Sequence, residues 1–487
     1  MKARHGGAGG AFLSLILILG LIGLGVWLMA RPKAAPPAPP DLQQPDGLRA
    51  VPVPEDKPDP EAPKVIEPLT EAPRLDASAP YVPKDGVIEI DISDYAGYSG
   101  IIVANGGLEP NSESIFSKKF GLKVKLSKSE SENWSQINQG RFAAGATTVD
   151  VLPVLGRQFQ VTVPMQVAFS RGADGIVVAK NIASINHLKD KVVVASQFNE
   201  AEFLLRYLAQ EAGVPVAVLG GLDLAPPAGH IGLVFAEDGE QSCKLFASEM
   251  KRSRPRLAGC VGWAPYTTEA VDGSDGKARL MVSNRNLLVV ADILVCNKPW
   301  AAANPAQVAG LVQGILAGNR LMREQPEKHL PVVAKAFGWT VDETRVELAR
   351  VHFSNLPENQ AFFSGAIDAA GSFGSIYQSS VLAYGPLAAN PPDSERFVDP
   401  APLKAAAAAG DFSDEKIAIQ PIRTGSASAI EGQPLLSKNI RFLFQSNSHL
   451  LDLQSADNQK YLDLIRGYLQ VSPGSMVLLR GHVDNAQ

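Results

Sequence analysis

A short run of polar residues near the middle of the 487-residue chain could present hydrogen-bond donors to a ligand. Val192–Ala195 reads as an apolar strand, and Asn199-Glu200-Ala201-Glu202 follows it with the pattern of a helix capping box. Where a strand leads into the N-terminus of a helix, α/β proteins often present backbone N–H groups to a ligand. The pattern therefore indicates either a ligand site or simply a well-capped helix.

Glu200 and Glu202 bring negative charge to the place where a bound oxyanion would lie. If both side chains face a ligand, they disfavour a plain anion such as nitrate or sulfate and favour an amine or a zwitterion bound by Glu200. If both face solvent, an oxyanion such as a sulfonate or a phosphate stays open, with Arg157 or Arg171 as its counter-charge. The residues alone leave both alternatives open.

The sequence contains no arrangement typical of an enzyme. It lacks His-Glu-x-x-His, Gly-x-Ser-x-Gly and the phosphate-binding Gly-Lys-Ser/Thr, and the near match at 97–100 has its second glycine one position early. The seven histidines are scattered. Cys243, Cys260 and Cys296 lie in apolar segments and are predicted to be buried thiols, with a Cys243–Cys260 disulfide as the alternative. We predict no catalysis, no cofactor and no metal site.

The elements that must position the polar residues alternate between short strands and amphipathic helices from Gly86 onward. The predicted strands are 87–92, 122–126, 150–152, 161–169, 175–179, 192–195, 231–235, 260–263 and 287–295. Strands that alternate with helices of this kind predict an α/β fold with largely parallel sheets. A net charge of −5, without basic clusters among aromatic residues, argues against nucleic-acid binding.

The N-terminal segment is apolar enough to enter a membrane. Residues 11–30 form an uncharged run that would make a helix of roughly 30 Å, and basic residues flank it on both sides. A cleaved signal peptide is the alternative, but Leu28 is a poor −3 residue for cleavage after Ala30. We predict an uncleaved signal-anchor, with a single pass through the inner membrane and the bulk of the chain in the periplasm.

A spacer follows this segment. Residues 31–80 contain 14 prolines, a composition that favours extended polyproline II structure and cannot bury a core. We therefore assign 1–31 to the tail and transmembrane anchor and 32–85 to a Pro-rich disordered linker.

The central sequence is similar to the type II periplasmic substrate-binding proteins of ABC importers, and most of all to the group for taurine, alkanesulfonates, nitrate and thiamine precursors. The similar segments are RGADGIVVAKNIASINHLKDKVVVASQFNEAEFLLRYLAQEAGV (171–214), GCVGWAPYTTEAV (259–271), VVADILVCNKPWAAANPAQVAGLVQGILAG (289–318), YAGYSG and GRFAAGATTVDVL (140–152). The resemblance covers about 86–407. It implies two α/β lobes, 86–174 with 265–407 and 175–264, which close on a ligand by a hinge.

The resemblance also implies ligand-binding positions. They are Tyr95, Gly97, Tyr98, Thr147, Thr148, Phe198, Asn199, Glu200 and Trp263. Core packing is the alternative role for each of the aromatic residues. The chain departs from the family at Ala143, where an aspartate often follows the small-residue turn.

The C-terminal sequence 437–487, after a second linker at 408–436, resembles the front half of an OmpA-like peptidoglycan-binding domain. A predicted strand at 440–444, a helix and a predicted strand at 476–479 lead to Gly481-His482-Val483-Asp484. The resemblance implies that Asp484 binds the ammonium group of diaminopimelate. The arginine-bearing helix of that family has no counterpart here, so we expect a partial α+β module with doubtful wall binding.

Together these features predict a membrane-anchored periplasmic solute-binding protein, the substrate-binding component of an ABC importer. Its solute would be small and polar or anionic, like a sulfonate, a phosphate or nitrate, or else zwitterionic. The expected partners are this solute, an ABC permease, the inner membrane through 11–30 and peptidoglycan. The alternative is a structural tether between inner membrane and peptidoglycan with a degenerate ligand domain.

Overall fold

The computed structural model describes residues 49–50, 63–129, 133–366, 371–388, 390–419, 435–438, 440–445, 448, 450–471 and 477. The apolar run 11–30 and Asp484 lie outside these residues. The strands of the two main sheets are β1 (Val87–Ile92), β2 (Lys123–Lys128), β3 (Ala144–Thr148), β4 (Val161–Ser170), β5 (Asp174–Ala179), β6 (Lys191–Ser196), β7 (Val216–Val218), β8 (Ile231–Ala236), β9 (Gly259–Trp263), β10 (Ala278–Ser283), β11 (Ala291–Asn297) and β12 (Val351–Phe353).

Helices cover both sheets. The α-helices of the described residues are α1 (Ser99–Asn105), α2 (Ile115–Phe120), α3 (Trp134–Asn138), α4 (Val151–Leu155), α5 (Glu200–Glu211), α6 (Gly239–Met250), α7 (Tyr266–Asp272), α8 (Lys298–Ala303), α9 (Pro305–Glu324), α10 (Pro326–Phe337), α11 (Val341–Leu348), α12 (Leu356–Ser364), α13 (Phe373–Tyr384), α14 (Ala401–Ala409) and α15 (Ala456–Val471).

Two six-stranded sheets define two lobes. The first lobe is built on the order β2-β1-β3-β11-β4-β12, and the second lobe on β10-β5-β9-β6-β8-β7. This confirms the predicted two-lobed α/β class. The prediction of largely parallel sheets is wrong, because five of the ten strand pairings are antiparallel. The reason is topological: strands β4, β5, β10 and β11, through which the chain leaves and re-enters a lobe, run against their neighbours.

The chain crosses between the lobes twice. It leaves the first lobe between β4 and β5 and returns over 284–290, between β10 and β11. Sequence analysis placed this return at 265, but β10 still pairs with β5 in the second sheet. The reason is that 259–283 fold back as a helix and a further edge strand before the chain leaves the lobe.

One asparagine side chain ties the two crossings together. Asn284 Nδ2 donates to the backbone oxygen of Ser170 at 3.1 Å and to Asp174 Oδ2 at 2.8 Å, and its Oδ1 accepts from the Gly172 N–H at 2.6 Å. The buried Asn284 side chain thus joins the end of β4 and the start of β5 to the returning segment. These three hydrogen bonds hold the two crossings together.

Close helix packing fixes the start of α1, next to the first loop at the cleft. An added Cβ at Gly318 of α9 would lie 2.0 Å from the Gly100 backbone oxygen, and one at Gly100 would lie 1.9 Å from Asn319 Oδ1. The two glycines allow the backbones of α1 and α9 to approach closely. Tyr98, which directly precedes α1, is positioned by this contact.

On one side the two lobes also meet through helix packing. Tyr384 of α13 lies against Phe198, with ring centroids 6.3 Å apart, and its hydroxyl donates to the Asn199 backbone oxygen at 3.1 Å. Ser380 of the same helix donates to the Asp150 backbone oxygen in the first lobe at 2.5 Å. Helix α13 therefore bridges α4 and the N-terminus of α5.

Residues 64–82 form a strap that crosses from the second lobe to the first. In the second lobe, Gln197 exchanges two hydrogen bonds with the Leu69 backbone, at 2.9 and 2.8 Å. In the first lobe, Gln158 accepts from the Leu75 N–H at 3.0 Å and donates to the Pro73 oxygen at 2.7 Å. Sequence analysis assigned the strap to the disordered linker 32–85, but its polar backbone groups find partners on both lobes.

The C-terminal described residues touch the second lobe and then form a small separate cluster. Asn186 exchanges two hydrogen bonds with the Ser437 backbone, at 2.8 and 3.1 Å. Farther on, the predicted strand 440–444 makes one isolated bridge, Phe444 to Leu451, before α15 begins. The predicted wall-binding module stays a prediction, because Asp484 lies outside the described residues.

The predicted location, a single pass through the inner membrane, is contradicted. No helix among the described residues is both long and apolar enough to span a bilayer. Helix α9 has 20 residues, but it carries arginine and glutamate at its C-terminal end and buries its apolar face in the first lobe. The segment 11–30, on which the prediction was based, lies outside the described part of the chain.

Candidate functional site

A cavity of about 200 Å³ lies between the two lobes. Its lining residues come from loops that follow β1, β3, β6, β8 and β9, and from the ends of the two crossings. These five strands belong to the parallel parts of the sheets, and the loops at the carboxyl ends of parallel strands are where open α/β sheets bind ligands. The position of the cavity therefore follows from the strand order.

The first lobe lines the cavity with aromatic rings. Tyr95 and Tyr98 pack edge to face, with centroids 5.4 Å apart, and the Tyr98 hydroxyl donates to Asp292 Oδ1 at 3.3 Å. An added Cβ at Gly97 would lie 2.2 Å from Tyr95 Cε1, so the glycine makes room for this ring. Trp134, at the start of α3, completes the aromatic face.

The second lobe lines the cavity with polar side chains and one indole. Ser196, Gln197, Asn199 and Glu200 follow β6, Glu237 and Asp238 follow β8, and Trp263 ends β9. The Trp263 ring lies over the start of α6, where a Cβ at Gly239 would come within 2.4 Å of Trp263 Cζ3. Because Gly239 has no side chain, the Trp263 indole has room to lie at the cavity wall.

Two buried carboxylates lie where the crossings enter the cavity. Asp174 is 3% exposed and accepts hydrogen bonds from the Ser170 hydroxyl and from Asn284, both of them neutral donors. Burial raises the pKa of Asp174 to about 6. Asp292 is 2% exposed and accepts from Tyr98. Burial, together with the carboxylates of Asp292 and Asp174, raises the pKa of the Tyr95 hydroxyl well above its usual value.

A third buried carboxylate, that of Asp150, interacts electrostatically with Asp174. Asp150 is fully buried at the start of α4, and burial raises its pKa to about 7, with the charges of Asp174 and Glu202 acting in the same direction. Glu202 is itself fully buried but is paired with Arg206, whose Nε lies 2.7 Å from Glu202 Oε1. Burial and the neighbouring carboxylates thus favour the neutral form of Asp150, while Arg206 balances the charge of Glu202.

The N-termini of the two helices that face the cavity are capped by their own residues. Asn199 Oδ1 accepts from the Ala201 and Glu202 N–H groups at 3.1 and 3.4 Å, and Glu202 Oε2 accepts from the Phe198 N–H at 2.7 Å. On α6, Asp238 Oδ1 accepts from the Gln241 N–H at 2.7 Å. These N–H groups are therefore not available to an oxyanion without displacing a cap.

The structure brings six of the nine predicted ligand positions to the cavity wall. They are Tyr95, Tyr98, Thr148, Asn199, Glu200 and Trp263. Gly97 lies behind the Tyr95 ring, and Thr147, which alternates with Thr148 along β3, accepts from Trp134 Nε1 at 3.4 Å. Phe198 is buried against α13 with a φ of 58°, which places its backbone rather than its ring near the cleft.

Neither predicted counter-charge lines the cavity. Arg157 is exposed at the end of α4, and its backbone oxygen accepts from Arg396 Nη2 at 3.2 Å. Arg171 lies in the first crossing, where its backbone N–H donates to the Arg350 oxygen at 2.8 Å and its Nε to the Arg285 oxygen at 3.4 Å.

Sequence analysis missed several wall residues: Ser93, Trp134, Ser170, Asp174, Ser196, Gln197, Glu237, Asp238, Val290 and Asp292. A signal for two of them was present, because Glu237 and Asp238 directly follow the predicted strand 231–235, as the capping box follows 192–195. Asp174 and Asp292 had no comparable signal. Their role depends on where the crossings meet, which a one-dimensional pattern does not contain.

The cysteines take no part in the site. Cys243, Cys260 and Cys296 are free buried thiols. The Sγ atoms of Cys243 and Cys260 are 3.8 Å apart, beyond the roughly 2 Å length of a disulfide bond. The alternative of a disulfide is therefore not realised, and burial raises the pKa of the Cys260 thiol well above its usual value.

No protein-family model and no curated protein matches the sequence. Solved structures of similar fold do match. The periplasmic aliphatic sulphonate binding protein SsuA from Escherichia coli is 17% identical, with a TM-score of 0.47 over 64% of this chain and 96% of that one. The periplasmic nitrate-binding protein NrtA from Synechocystis PCC 6803 is 10% identical, with a TM-score of 0.48 over 67% of this chain and 89% of that one. The alkanesulfonate-binding protein SsuA from Xanthomonas axonopodis pv. citri, bound to MOPS, is 14% identical, with a TM-score of 0.47 over 65% and 99%.

Proposed function

We propose that this chain is a solute-binding protein that holds a small molecule in the cleft between its two lobes. The observation that carries the proposal is the composition of the cavity wall: both lobes and both crossings contribute to one enclosure of about 200 Å³. That is room for about seven water molecules, hence for a small solute rather than a polymer. Rings, hydroxyl groups and carboxylates converge there without a nucleophile and base in the arrangement of a hydrolase.

Binding and closure are coupled in this proposal. The lobes move about the crossings, where Asn284 joins the end of β4 to the start of β5. A solute that contacts Tyr98 on one side and Glu200 on the other stabilises the closed arrangement, because only that arrangement makes both contacts at once. The role is therefore capture and release, in keeping with a component of an ABC importer that passes its solute to a permease.

We further propose that the chain passes its solute to an ABC permease. The resemblance of 86–407 to importer binding proteins supports this partner. A wall-binding module at 437–487, centred on Asp484, remains a prediction of the same kind. Both need partners that bind other surfaces, so neither bears on the chemistry of the cleft.

Tryptophan fluorescence tests the central claim. Trp134 and Trp263 line the cavity, whereas Trp339 packs on Phe337 with ring centroids 4.4 Å apart and is not part of the wall. The full 487-residue chain is titrated with a panel of small amines, quaternary ammonium ions, zwitterions, sulfonates, nitrate and phosphate. We expect at least one member to change the emission and to raise the free energy of unfolding by about 2.7 kcal/mol at 100 times its Kd.

The controls separate the cleft from other sites. The double variant Trp134→Phe/Trp263→Phe should lose the emission change while keeping the thermal stabilisation in large part, and Trp339→Phe should keep both. If no solute class stabilises the chain, the proposal fails. A fluorescence response that survives in the double variant would place binding elsewhere.

A further inference from the structure

We propose that the cleft takes an organic cation, a small amine or quaternary ammonium ion, rather than a sulfonate, a phosphate or nitrate. The inference rests on the proposed function, since it names the class of solute that the same cavity would hold. Three features of the wall carry it: its charge, the state of its hydrogen-bond donors and its aromatic rings.

The charge of the wall is the first feature. Among the described residues, five carboxylates line the cavity, those of Asp174, Glu200, Glu237, Asp238 and Asp292, and no lysine, arginine or histidine of that part of the chain does. Asp238 caps α6 and Glu237 is exposed, so helix dipole and solvent offset part of their charge. Asp174 and Asp292 are buried and accept hydrogen bonds from neutral groups, Asp174 from Ser170 and Asn284 and Asp292 from Tyr98. An anion brought between them would be repelled at short range in a medium of low dielectric constant.

The donors that an oxyanion needs are the second feature. Helix N-termini bind anions through free N–H groups, but on α5 the Phe198, Ala201 and Glu202 N–H groups already donate to side chains of the same turn. On α6, the Gln241 N–H donates to Asp238. A sulfonate would have to displace the Asn199 amide or the Glu202 carboxylate on α5, or the Asp238 carboxylate on α6.

The rings are the third feature. Tyr95, Tyr98 and Trp134 line one side of the cavity and Trp263 the other. The faces of aromatic rings attract cations, and such contacts are stronger where water is excluded. Carboxylates and rings around one enclosure are therefore complementary to an ammonium group with an apolar body.

The described residues also argue against a metal ion as the ligand. Among them, no three acidic, histidine or cysteine side chains lie close enough together to hold a metal.

Matched ligands test the charge directly. Choline and its uncharged carbon isostere 3,3-dimethylbutan-1-ol have the same shape, and putrescine adds a primary diamine. Methanesulfonate, nitrate and phosphate represent the anions, taurine the zwitterions, and CaCl₂ and ZnCl₂ the metal ions. Thermal unfolding of the full chain is followed in a buffer that contains neither amines nor sulfonates. We expect choline or putrescine to raise the midpoint by about 5 °C at 100 times its Kd, and the isostere and the anions to leave it unchanged.

Each outcome decides between the claims. Cation binding at least about tenfold tighter than that of the isostere supports the inference. Stabilisation by sulfonate, nitrate, phosphate, taurine or a metal ion instead of the organic cations overturns the inference. If the stabilising ligand is one of the small solutes rather than a metal ion, the proposed function still holds. Stabilisation by none of these ligands overturns the proposed function, and the inference with it.

Variants in which an amide replaces a carboxylate then test which carboxylates attract the cation. Asp174→Asn keeps an oxygen that can accept from Ser170 and Asn284, and Glu200→Gln changes the opposite lobe at a partly exposed position. Each should weaken cation binding about tenfold. The control Glu395→Gln removes an exposed carboxylate outside the cavity wall and should leave the affinity unchanged. Equal affinity of all three variants and the original chain would contradict the inference, and Glu200→Gln provides that test even if Asp174→Asn does not fold.

Discussion

The two lobes line one cavity with different chemistry. The first lobe contributes three aromatic rings, of which Tyr95 and Tyr98 pack edge to face, while the second contributes carboxylates and amides at the starts of α5 and α6. A ring is positioned by the volume around it, so glycines at 97 and 100 matter there. A carboxylate at a helix N-terminus is positioned by hydrogen bonds to the first turn. The wall residues of the first lobe are therefore positioned by shape, and those of the second lobe by capping and charge.

The largest loss of stability should come from removing the partner of a buried carboxylate in the second lobe. Arg206→Met removes the partner of Glu202, which is fully buried, together with the guanidinium group that lies over the Tyr384 ring, with Cζ 5.9 Å from the centroid. An uncompensated buried carboxylate should lower the free energy of unfolding by about 3–5 kcal/mol. Urea unfolding at pH 7.5 measures this loss.

A surface arginine is the matched control. Arg345 pairs with Glu327 through two contacts of 2.9 Å, but both side chains are exposed. Arg345→Met should therefore change the free energy of unfolding by less than about 1 kcal/mol. Equal losses for the two variants would mean that Glu202 is not held in its place by Arg206.

Charge and ring contributions can be compared by one substitution in each lobe. Glu200→Gln should weaken choline binding about tenfold, whereas Trp134→Leu should weaken it about fivefold, because a cation–ring contact contributes about 1 kcal/mol. Calorimetric titration gives both affinities. For the uncharged isostere the order should reverse, since it contacts the ring but gains nothing from the carboxylate. A larger loss for Glu200→Gln with the isostere as well would refute the division of roles.

The pH dependence of binding should report Asp174. Its pKa of about 6 lies above the ordinary 3.8, so its contribution to folding stability is fully present below 3.8 and is lost as the pH rises through about 6. The charged form, which a cation needs, prevails above that range, so the affinity for choline should fall as the pH drops from 7.5 to 5. Tyr95, Asp292 and Glu200 line the same cavity, and Asp150 interacts electrostatically with Asp174. The decrease in choline affinity can therefore extend over more than one pH unit.

Asp174→Asn separates binding from stability. This variant should flatten the pH profile of binding between 7.5 and 5. At pH 8 it should also raise the free energy of unfolding of the ligand-free chain, on the order of 1–3 kcal/mol, because a buried charge is removed. At pH 4 the gain should vanish. A variant less stable than the original chain at pH 8 would show that the charge of Asp174 is compensated in the ligand-free state.

The smallest effects concern the strap, which a glutamine of each lobe helps to hold. Gln158→Ala and Gln197→Ala each remove two hydrogen bonds to the strap backbone and should each lower the free energy of unfolding by about 1–2 kcal/mol. Only Gln197 lines the cavity, so only Gln197→Ala should change ligand affinity. An affinity change in Gln158→Ala would instead indicate that the strap as a whole controls access to the cleft.

Several features of this protein follow from the sequence by itself. Alternating strands and helices determine the α/β class, and the capping box at 199–202 forms as its residues dictate, with Asn199 and Glu202 closing the first turn of α5. These are local effects, because a cap needs only residues three or four positions apart. Even the question raised by Glu200 and Glu202 could be stated from the sequence, although their orientations could not.

The tertiary structure decided the rest. Glu200 lines the cavity, whereas Glu202, two positions on, turns inward and pairs with Arg206. Asp174 and Asp292 are more than 100 residues apart in the chain and meet only because the two crossings run side by side. Their burial depends on the way in which the two lobes and the two crossings pack around one cavity. No local pattern encodes it, because the electrostatic energy of a carboxylate depends on every charge and dipole that folding brings near it.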